Sequence, residues 1–497
     1  MNSIYSGNLG TVLVERMDRY SDKIALIHED KKYTYRQLKT DTLIFRTVLQ
    51  SWNLSKGDHI AIKLNSHYEF LVVFLAAVSI GVIPVLLLPN QGRHEIEAIL
   101  NVAEPKACIF ETYEDIAYKV KHFHTHKDII DALNNVIIEG AYNVAKLEYS
   151  DVALMLLSGG TTGIPKLIPR TQGDYLYNIE KMCDRLQLKG DDVYLSVLPM
   201  AHNFGLANPG ILGMLYVGGT AVVCDEVSPL EIFDSIEKYH VTFTAFVPSI
   251  LRLCVDYAAE GMDEDIHSLK LILSGGAMLP TELAKEAEEL FSVILIQVFG
   301  TAEGLICTNE LSDPIQVRNT TQGKPISKLD VLKITDESGK ELPRGKVGEL
   351  RTKGPYTIHG YYKLNNNADY FDEEGFYRTG DKAYISADGD LCIAGRIKEQ
   401  INRSGEKIMP SELEEIIACH EDVKDCVVVG LPDSVLGQRI CAFVIGSRDI
   451  TTDEIREYMI GRGLAAFKIP DEVRRVRAFP YTPVGKVDKK RLEEEYK

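Results

Sequence analysis

Up to about Asp330 the chain alternates short apolar runs with amphipathic stretches, and this alternation limits its folds more than any other feature. The runs His59–Leu64, Val82–Leu88, Ala107–Phe110, Val152–Leu157, Val193–Leu198, Thr220–Val223, Phe243–Val247, Leu269–Leu273 and Val293–Phe299 have the length and turn-residue boundaries of strands. Helical patterns such as Tyr35–Trp52 and Pro280–Leu290 lie between several of them. Strands separated by helices pair in parallel and are covered on both faces, so the spacing predicts an α/β fold with mainly parallel sheets. At 497 residues the chain is too long for one ordinary core, and more than one domain is expected. The uncharged run Phe70–Gly92 approaches the about 20 residues that span a bilayer, but Gly81 and Pro84 divide it. It reads as a buried helix, Phe70–Ile80, followed by a buried strand, Val82–Leu88.

Beyond Asp330 the texture changes. The short strands Val331–Thr335, Gly348–Thr352, Ala383–Ser386 and Leu391–Ala394 are separated by polar turns and predict an antiparallel region. A second change follows Gly395-Arg396. Ser411–Cys419 reads as a helix opened by a capping box, Ser411 with Glu414, and leads to strands Cys426–Val429 and Arg439–Ile445 and a helix Thr452–Arg462. These last residues are numerous enough for a separate α+β domain, with its boundary between Gly395 and Glu399.

Charge and cysteine usage narrow the functional classes. With 55 basic against 72 acidic residues the net charge is −17, which argues against a surface that coats nucleic acid or membrane. A nucleotide would be held by a few local cations and backbone amides. The nine cysteines are scattered without a Cys-x-x-Cys pair, so disulfide frameworks and zinc ribbons are not expected. Together with an N-terminus that lacks a basic segment followed by an apolar core, this predicts a cytoplasmic protein.

Several segments carry chemistry. Ser158-Gly159-Gly160-Thr161-Thr162-Gly163-Ile164-Pro165-Lys166 follows a buried strand; its glycines let backbone N–H groups approach phosphate oxygens, and its hydroxyls and lysine add donors. It is not a Walker A loop, because Ile164-Pro165 separates Gly163 from Lys166, which argues against a kinase or GTPase. Pro199-Met200-Ala201-His202-Asn203-Phe204 places a histidine after a strand. Leu273-Ser274-Gly275-Gly276-Ala277 ends a strand in two glycines against which a flat ring can lie. Gln297-Val298-Phe299-Gly300-Thr301-Ala302-Glu303 ends in an acid suited to Mg²⁺, which takes one or two carboxylates plus substrate phosphates. Tyr377-Arg378-Thr379-Gly380-Asp381 sets a carboxylate at a strand–turn junction, where it can accept from a ribose diol. Pro483-Val484-Gly485-Lys486-Val487 is a glycine turn that presents a lysine.

In order and spacing these segments resemble the adenylate-forming (ANL) superfamily over essentially the whole chain. Leu157–Arg170, Leu198–Asn203, Gln297–Gly304, Gly395–Glu406 and Arg462–Pro470 are similar to its free-standing aryl-acid branch, known for 2,3-dihydroxybenzoate–AMP and salicylate–AMP ligases of siderophore assembly. The resemblance implies a large N-terminal AMP-binding domain, residues 1–396, of two mainly parallel sheets with a β-barrel-like subdomain. It also implies a small mobile C-terminal domain, residues 397–497, hinged near Lys398, with Ser404, Gly405 and Glu406 in the loop that serves thioester formation.

The implied reaction has two halves. ATP and an aryl carboxylic acid, a 2-hydroxybenzoate such as 2,3-dihydroxybenzoate or salicylate, give the aryl-AMP and pyrophosphate. The phosphopantetheine thiol of a carrier protein acting in trans, in siderophore or nonribosomal-peptide synthesis, then takes the acyl group. By the same resemblance, Ser158, Gly160, Thr161, Thr162, Gly163 and Lys166 hold the β- and γ-phosphates, Glu303 ligates Mg²⁺, and Gly275, Gly276 and Ala277 border adenine and the acyl group. Val298, Phe299, Gly300 and Thr301 continue the nucleotide site. Asp381 and Arg396 take the ribose. Lys486 bridges the carboxylate and the α-phosphate, and His202 gates the acyl pocket. Asn203 meets the 2-hydroxyl, while Phe204, Val298 and Ile306 wall the ring.

Three positions vary. Ala302 and Gly159 stand where most of the superfamily has Thr and Ser, as is typical of the aryl branch. Asn208 stands where dihydroxybenzoate ligases have a small hydroxyl residue and salicylate ligases a Cys, which leaves the ring's 3-position open. The readings kept beside this one are an aryl-CoA ligase using free coenzyme A, adenylation of another aromatic acid such as a hydroxypicolinate, and a non-catalytic binding protein on the same fold. The retained Lys166, Glu303, Asp381, Arg396 and Lys486 argue against the last. A basic stretch, Arg474–Arg477, is a candidate docking patch for an acidic carrier.

Overall fold

The computed structural model describes residues 5–135, 146–158, 165–364, 366–404, 406–433, 435–482 and 485–496. Its strands form a nine-stranded, a six-stranded, a four-stranded and a five-stranded sheet.

The nine-stranded sheet has a parallel centre. Ile294–Gly300, Leu271–Gly275, Phe243–Phe246, Val193–Ser196, Thr220–Val223 and Ile24–His28 lie side by side, with antiparallel strands added at both edges. The six-stranded sheet is likewise parallel through His122–Thr125, Ala107–Phe110, His59–Lys63, Ile83–Leu86 and Val152–Leu157, and closes on antiparallel Leu167–Thr171. This is the mixed α/β layout that the strand–helix alternation predicts. The apolar run resolves as the helix Tyr68–Ser79, buried at every position except Glu69, followed by the buried strand Ile83–Leu86. It fills the main core between helices and strands of both sheets. No helix among the described residues is long and apolar enough to cross a membrane.

The region expected to be antiparallel is a four-stranded antiparallel sheet of Val331–Thr335, Gly348–Lys353, Tyr377–Ile385 and Leu391–Arg396. Asp381 lies in the middle of Tyr377–Ile385 rather than at a strand–turn junction. The hydroxyl-rich Tyr377-Arg378-Thr379 segment pairs with Arg351 and Thr352 and carries the strand past the glycine.

Residues from Ile401 onward build the five-stranded sheet around the long hairpin Val423–Asp433 and Gly437–Gly446, with a core of its own. The capping box expected at Ser411 is not formed. The helix starts one residue earlier, at Pro410, and Ser411 Oγ instead donates to Ala394 O at 2.8 Å. Glu414 is taken up by the Val428 N–H and Lys489. All nine cysteines are free, and eight are buried.

In both parallel sheets the strands deliver their C-terminal ends to one set of loops, the place where open α/β sheets bind ligands. Residues 197–204, 275–280 and 301–305 all follow such ends.

Candidate active site

The loop after Val152–Leu157 is closed at its base. Ser158 N donates to Lys166 O at 2.9 Å, and Lys166 N donates to Ser158 Oγ at 2.9 Å. Gly160, Thr161, Thr162 and Gly163 lie outside the described residues. Lys166 Nζ sits 4.9 Å from the centre of the Tyr361 ring and 4.4 Å from that of Tyr370, where the electron-rich faces hold a cation in place.

The hairpin between Ile294–Gly300 and Ile306–Thr308 carries the acid. Its turn closes by Thr301 N donating to Leu305 O at 2.9 Å, and Arg170 Nη1 donates to Ala302 O at 3.0 Å from beneath. Glu303 is buried, and its Oε1 accepts from Tyr361 Oη at 2.8 Å. The same tyrosine therefore touches both Lys166 and the candidate metal ligand.

Two charged groups come from the antiparallel sheet. Asp381 and Arg396 are cross-strand partners joined by an ion pair of 3.1 Å through Oδ1. Asp381 Oδ2 is buried and has no partner, and burial raises the carboxyl's pKa against the pull of Arg396 and Lys486. An orphaned carboxylate oxygen at 3 % exposure is costly unless a ligand donates to it.

Lys486 enters from the C-terminal region, beside the isolated bridge between Tyr481 and Val487. Its turn is tied by Thr482 N donating to Lys486 O at 2.7 Å, and Ser249 Oγ, on the helix Pro248–Ala259, donates to Gly485 O at 3.2 Å. Gly276 has φ +85°, and a Cβ there would lie 3.8 Å from Lys486 Cε and 3.3 Å from Val247 Cγ1. The lysine thus passes directly over the Gly275–Gly276 floor. Burial, with Arg396 adding to it, brings the Lys486 pKa down to about 8, while Asp381, Glu399 and Glu303 oppose the shift. His202 caps the short helix Asn203–Ala207 by accepting from Phe204 N, and burial next to Lys486 pulls its pKa down to about 4, so it is neutral at pH 7.

Beside His202 runs a buried polar string. Tyr175 Oη donates to Asn203 Oδ1 at 2.8 Å, which leaves the Asn203 amide nitrogen as the group with donors to offer. Asn208 is spent internally: its Oδ1 accepts from Asn178 Nδ2 at 2.7 Å, and its Nδ2 donates to Asn203 O at 3.1 Å. Asn178 Oδ1 is buried without a partner. Gly275 is required by close packing, since a Cβ would meet Val298 O at 2.5 Å and the Phe204 ring at 3.1 Å. Phe204, Val298 and Ile306 are buried, whereas Gly276, Ala277 and Gly300 are open and Phe299 and Thr301 partly so.

The structure therefore links Lys166 to Glu303 through Tyr361, pairs Asp381 with Arg396, and sets Lys486 near Gly276, Asp381, Arg396, Glu303 and His202, with Asn203 and Phe204 following His202 in the chain. Lys398, in the turn Ile397–Glu399, and Ser404 and Glu406 are exposed on the C-terminal side; Gly405 lies outside the described residues.

Sequence reasoning missed the residues that hold this set in place. Arg170 is fully buried, pairs with Asp174 at 2.8 Å and stacks over Tyr175; it stood in the string Leu157–Arg170 without a role. Tyr175 and Asn178 share one face of the helix Gln172–Leu186 and gave no local signal. Tyr361 and Tyr370 arrive from far along the chain.

Comparisons with known proteins agree with this layout. The family described as AMP-binding enzyme matches residues 13–362, and that described as AMP-binding enzyme C-terminal domain matches residues 412–486. The chain is 38% identical to a 2,3-dihydroxybenzoate-AMP ligase of Bacillus subtilis, covering 99% of this chain and 94% of the relative. It is 35% identical to a salicyl-AMP ligase / salicyl-S-ArCP synthetase of Mycobacterium tuberculosis, covering 97% and 90%. The crystal structure of ATP-bound MatB from Rhodopseudomonas palustris superposes with a TM-score of 0.90 at 25% identity over 98% of this chain and 99% of that one. The apo structure of the same protein gives 0.79.

Proposed function

The chain belongs to the AMP-binding enzyme family, and from that premise we propose that it is an ATP-dependent ligase. On this reading it activates a 2-hydroxybenzoate-type acid to the aryl-AMP and passes the aryl group to a pantetheine thiol on a carrier protein. The single observation that carries the reading is Lys486 over the Gly276 floor, facing Asp381, Arg396 and Glu303. A cation delivered by a turn of the C-terminal region to the junction of the nucleotide and acyl regions suits a reaction in which an anion attacks a polyanion.

In the first half-reaction a carboxylate oxygen of the acid bonds to the α-phosphorus, the bond from that phosphorus to the bridging oxygen breaks, and pyrophosphate leaves with the electron pair. Lys486 neutralises the charge that builds between the two anions, an effect that preorganised donors supply in a dry site. Lys166, held beside two tyrosine rings that contact each other edge-to-face, takes the outer phosphates. Asp381 accepts from the ribose hydroxyls, and its orphaned Oδ2 fits that role. Mg²⁺ would add neutralising charge on the phosphates; one buried carboxylate, Glu303, with phosphate oxygens completing the shell, is a donor set that Mg²⁺ takes.

Asn203 sets the acid preference. The phenolic proton of a 2-hydroxybenzoate turns toward its own carboxylate, so the phenolic oxygen is left to accept. Tyr175 orients the Asn203 amide to donate. Asn208 has no free polar atom for the ring's 3-position, whereas the unpartnered Asn178 Oδ1 behind it is an acceptor. A neutral His202 beside the lysine can move as a gate without carrying charge.

For the second half-reaction the residues from 397 onward turn about Lys398, withdraw Lys486 and bring Ser404–Glu406 to the site. The higher TM-score to the ATP-bound than to the apo MatB structure supports an adenylation-ready arrangement here. Arg474 and Arg475, named above for carrier docking, are ion-paired with Glu472 and Asp449, so docking by charge alone is not favoured at that patch.

Separate assay of the two halves tests the reading. Lys486→Ala should lower pyrophosphate exchange by at least 10²-fold yet largely spare thioester formation from supplied aryl-AMP; equal loss in both would refute the domain rotation.

A further inference from the structure

Outside this site, a second cluster of chemically capable side chains sits where three neighbouring parallel strands end. His67 follows His59–Lys63 and precedes the helix Tyr68–Ser79, Glu111 follows Ala107–Phe110, and His126 follows His122–Thr125. One donor atom from each lies within 4.8 Å of the other two. Glu111 Oε1 is the shared vertex, 3.1 Å from His67 Nε2 and 3.2 Å from His126 Nδ1. These are hydrogen-bond separations here, and they need little change to become the about 3.3 Å edges of donors bound to one tetrahedral Zn²⁺ at about 2.0–2.1 Å.

The surroundings orient the donors as well. Glu111 Oε2 accepts from Asn65 N at 2.9 Å, which turns Oε1 toward the two rings. His126 Nε2 lies 3.1 Å from Glu69 Oε2. With a carboxylate at each ring nitrogen, His126 donates from both in the metal-free protein; a metal would displace the Nδ1 proton and leave Nε2–H on Glu69, the second-layer arrangement of metal-bound imidazoles. The His67 and His126 rings are stacked, with centroids 4.4 Å apart and planes within 7°; an imidazole lone pair lies in its ring plane, so binding one ion requires the two rings to tilt out of this stack. None of these residues belongs to the adenylation site.

We propose that His67, Glu111 and His126 bind one divalent transition-metal ion of the zinc class, with Glu69 orienting His126. Two imidazoles and one carboxylate discriminate against Mg²⁺ and Ca²⁺, so the ion that serves ATP does not compete. The bound ion ties three strand ends together. It also stiffens the turn whose Ser66 Oγ accepts from Met200 N at 3.1 Å, three residues before Asn203.

The test uses the full chain, stripped with a chelator and titrated with Co²⁺ and Zn²⁺ in excess Mg²⁺. One equivalent of Co²⁺ should give visible d–d bands of a four- or five-coordinate nitrogen–oxygen site without thiolate charge transfer, and Zn²⁺ should displace it. Glu111→Gln and His126→Gln should each weaken Zn²⁺ at least tenfold and abolish the rise in unfolding temperature that Zn²⁺ gives the parent. Cys419→Ser, which removes the exposed thiol, and Asp225→Asn, in the neighbouring His28–Glu29–Asp225 group, should leave binding intact. Absence of a stoichiometric Co²⁺ spectrum, unchanged affinity in Glu111→Gln, or loss in Asp225→Asn instead would overturn the assignment. If both ligand variants fail to fold, the spectrum of the parent decides alone.

Discussion

Tyr175→Phe removes one atom, and the structure states what that atom does. The Tyr175 hydroxyl donates to Asn203 Oδ1 at 2.8 Å, with Tyr175 fully buried and Asn203 9% exposed. Without it the amide oxygen is left in a dry site with no donor, a cost of about 1–3 kcal/mol. The side chain can relieve that cost by rotating, which turns its oxygen toward the acid's 2-hydroxyl and replaces a hydrogen bond by a repulsion. Selectivity for salicylate over benzoate should therefore fall. Truncation to Asn203→Ala sets the ceiling, since it deletes the donor outright: about 1–3 kcal/mol, or roughly 5- to 150-fold in relative kcat/KM. Tyr175→Phe should lose part of that, up to about tenfold, while benzoate turnover changes little. The assay is pyrophosphate exchange with both acids on the two single variants and the double variant. In the double variant the Tyr175 effect should vanish, because the group it orients is gone. Undiminished selectivity in Asn203→Ala, or additive losses in the double variant, would refute the orientation argument.

Other consequences concern charge and support. Lys486 has its pKa lowered to about 8 from its ordinary 10.5, so the folded protein binds its proton less readily than the unfolded chain. Its charge opposes folding fully below about pH 8, and the penalty fades between about 8 and 10.5. Lys486→Met should accordingly raise the thermal midpoint of the ligand-free protein at pH 7 and not at pH 10.5, as calorimetry would show. Burial raises Asp330 to about 7 from 3.8, and its Oδ1 has no partner. Stability is lost as pH climbs through that interval, so Asp330→Asn should be neutral at pH 4 and increasingly stabilising up to pH 8 in thermal melts. Arg170→Met strands buried Asp174 and frees the Glu303 hairpin from Ala302 O, and should cost about 3 kcal/mol, read as an earlier denaturant midpoint, with weaker Mg²⁺ dependence of exchange.

What was legible in the sequence follows from the range of the forces involved. Strand–helix alternation is local, and so are glycine-marked strand ends, so the parallel sheets and the end of Leu271–Gly275 could be read in advance, whereas Asp381 lies in mid-strand and not at the strand–turn junction read for it. The family pattern placed Lys486 in a site that nothing near the chain end would have announced. What escaped depends on partners distant in sequence. Tyr361 meets Glu303 and Lys166 only because the chain returns through a loop with no periodicity. Arg170 becomes buried because the hairpin of residues 301–305 closes over it. At Ser411 the local capping signal lost to a tertiary acceptor, Ala394 O, and the helix started one residue earlier. The Asn208 side chain, read as an open question for substrate, is occupied by Asn178 and the Asn203 backbone. Only the packing of the helix Gln172–Leu186 against Asn203–Ala207 could reveal this.

The central claim is that Lys486 and the groups it faces activate an aromatic acid as its adenylate. ATP–pyrophosphate exchange, measured with benzoate, salicylate, 2,3-dihydroxybenzoate and pyridine carboxylates on the full chain with Mg²⁺, tests it most directly. Exchange should depend on an aryl acid and be strongest with a 2-hydroxybenzoate; exchange with none of these acids would contradict aryl-acid activation.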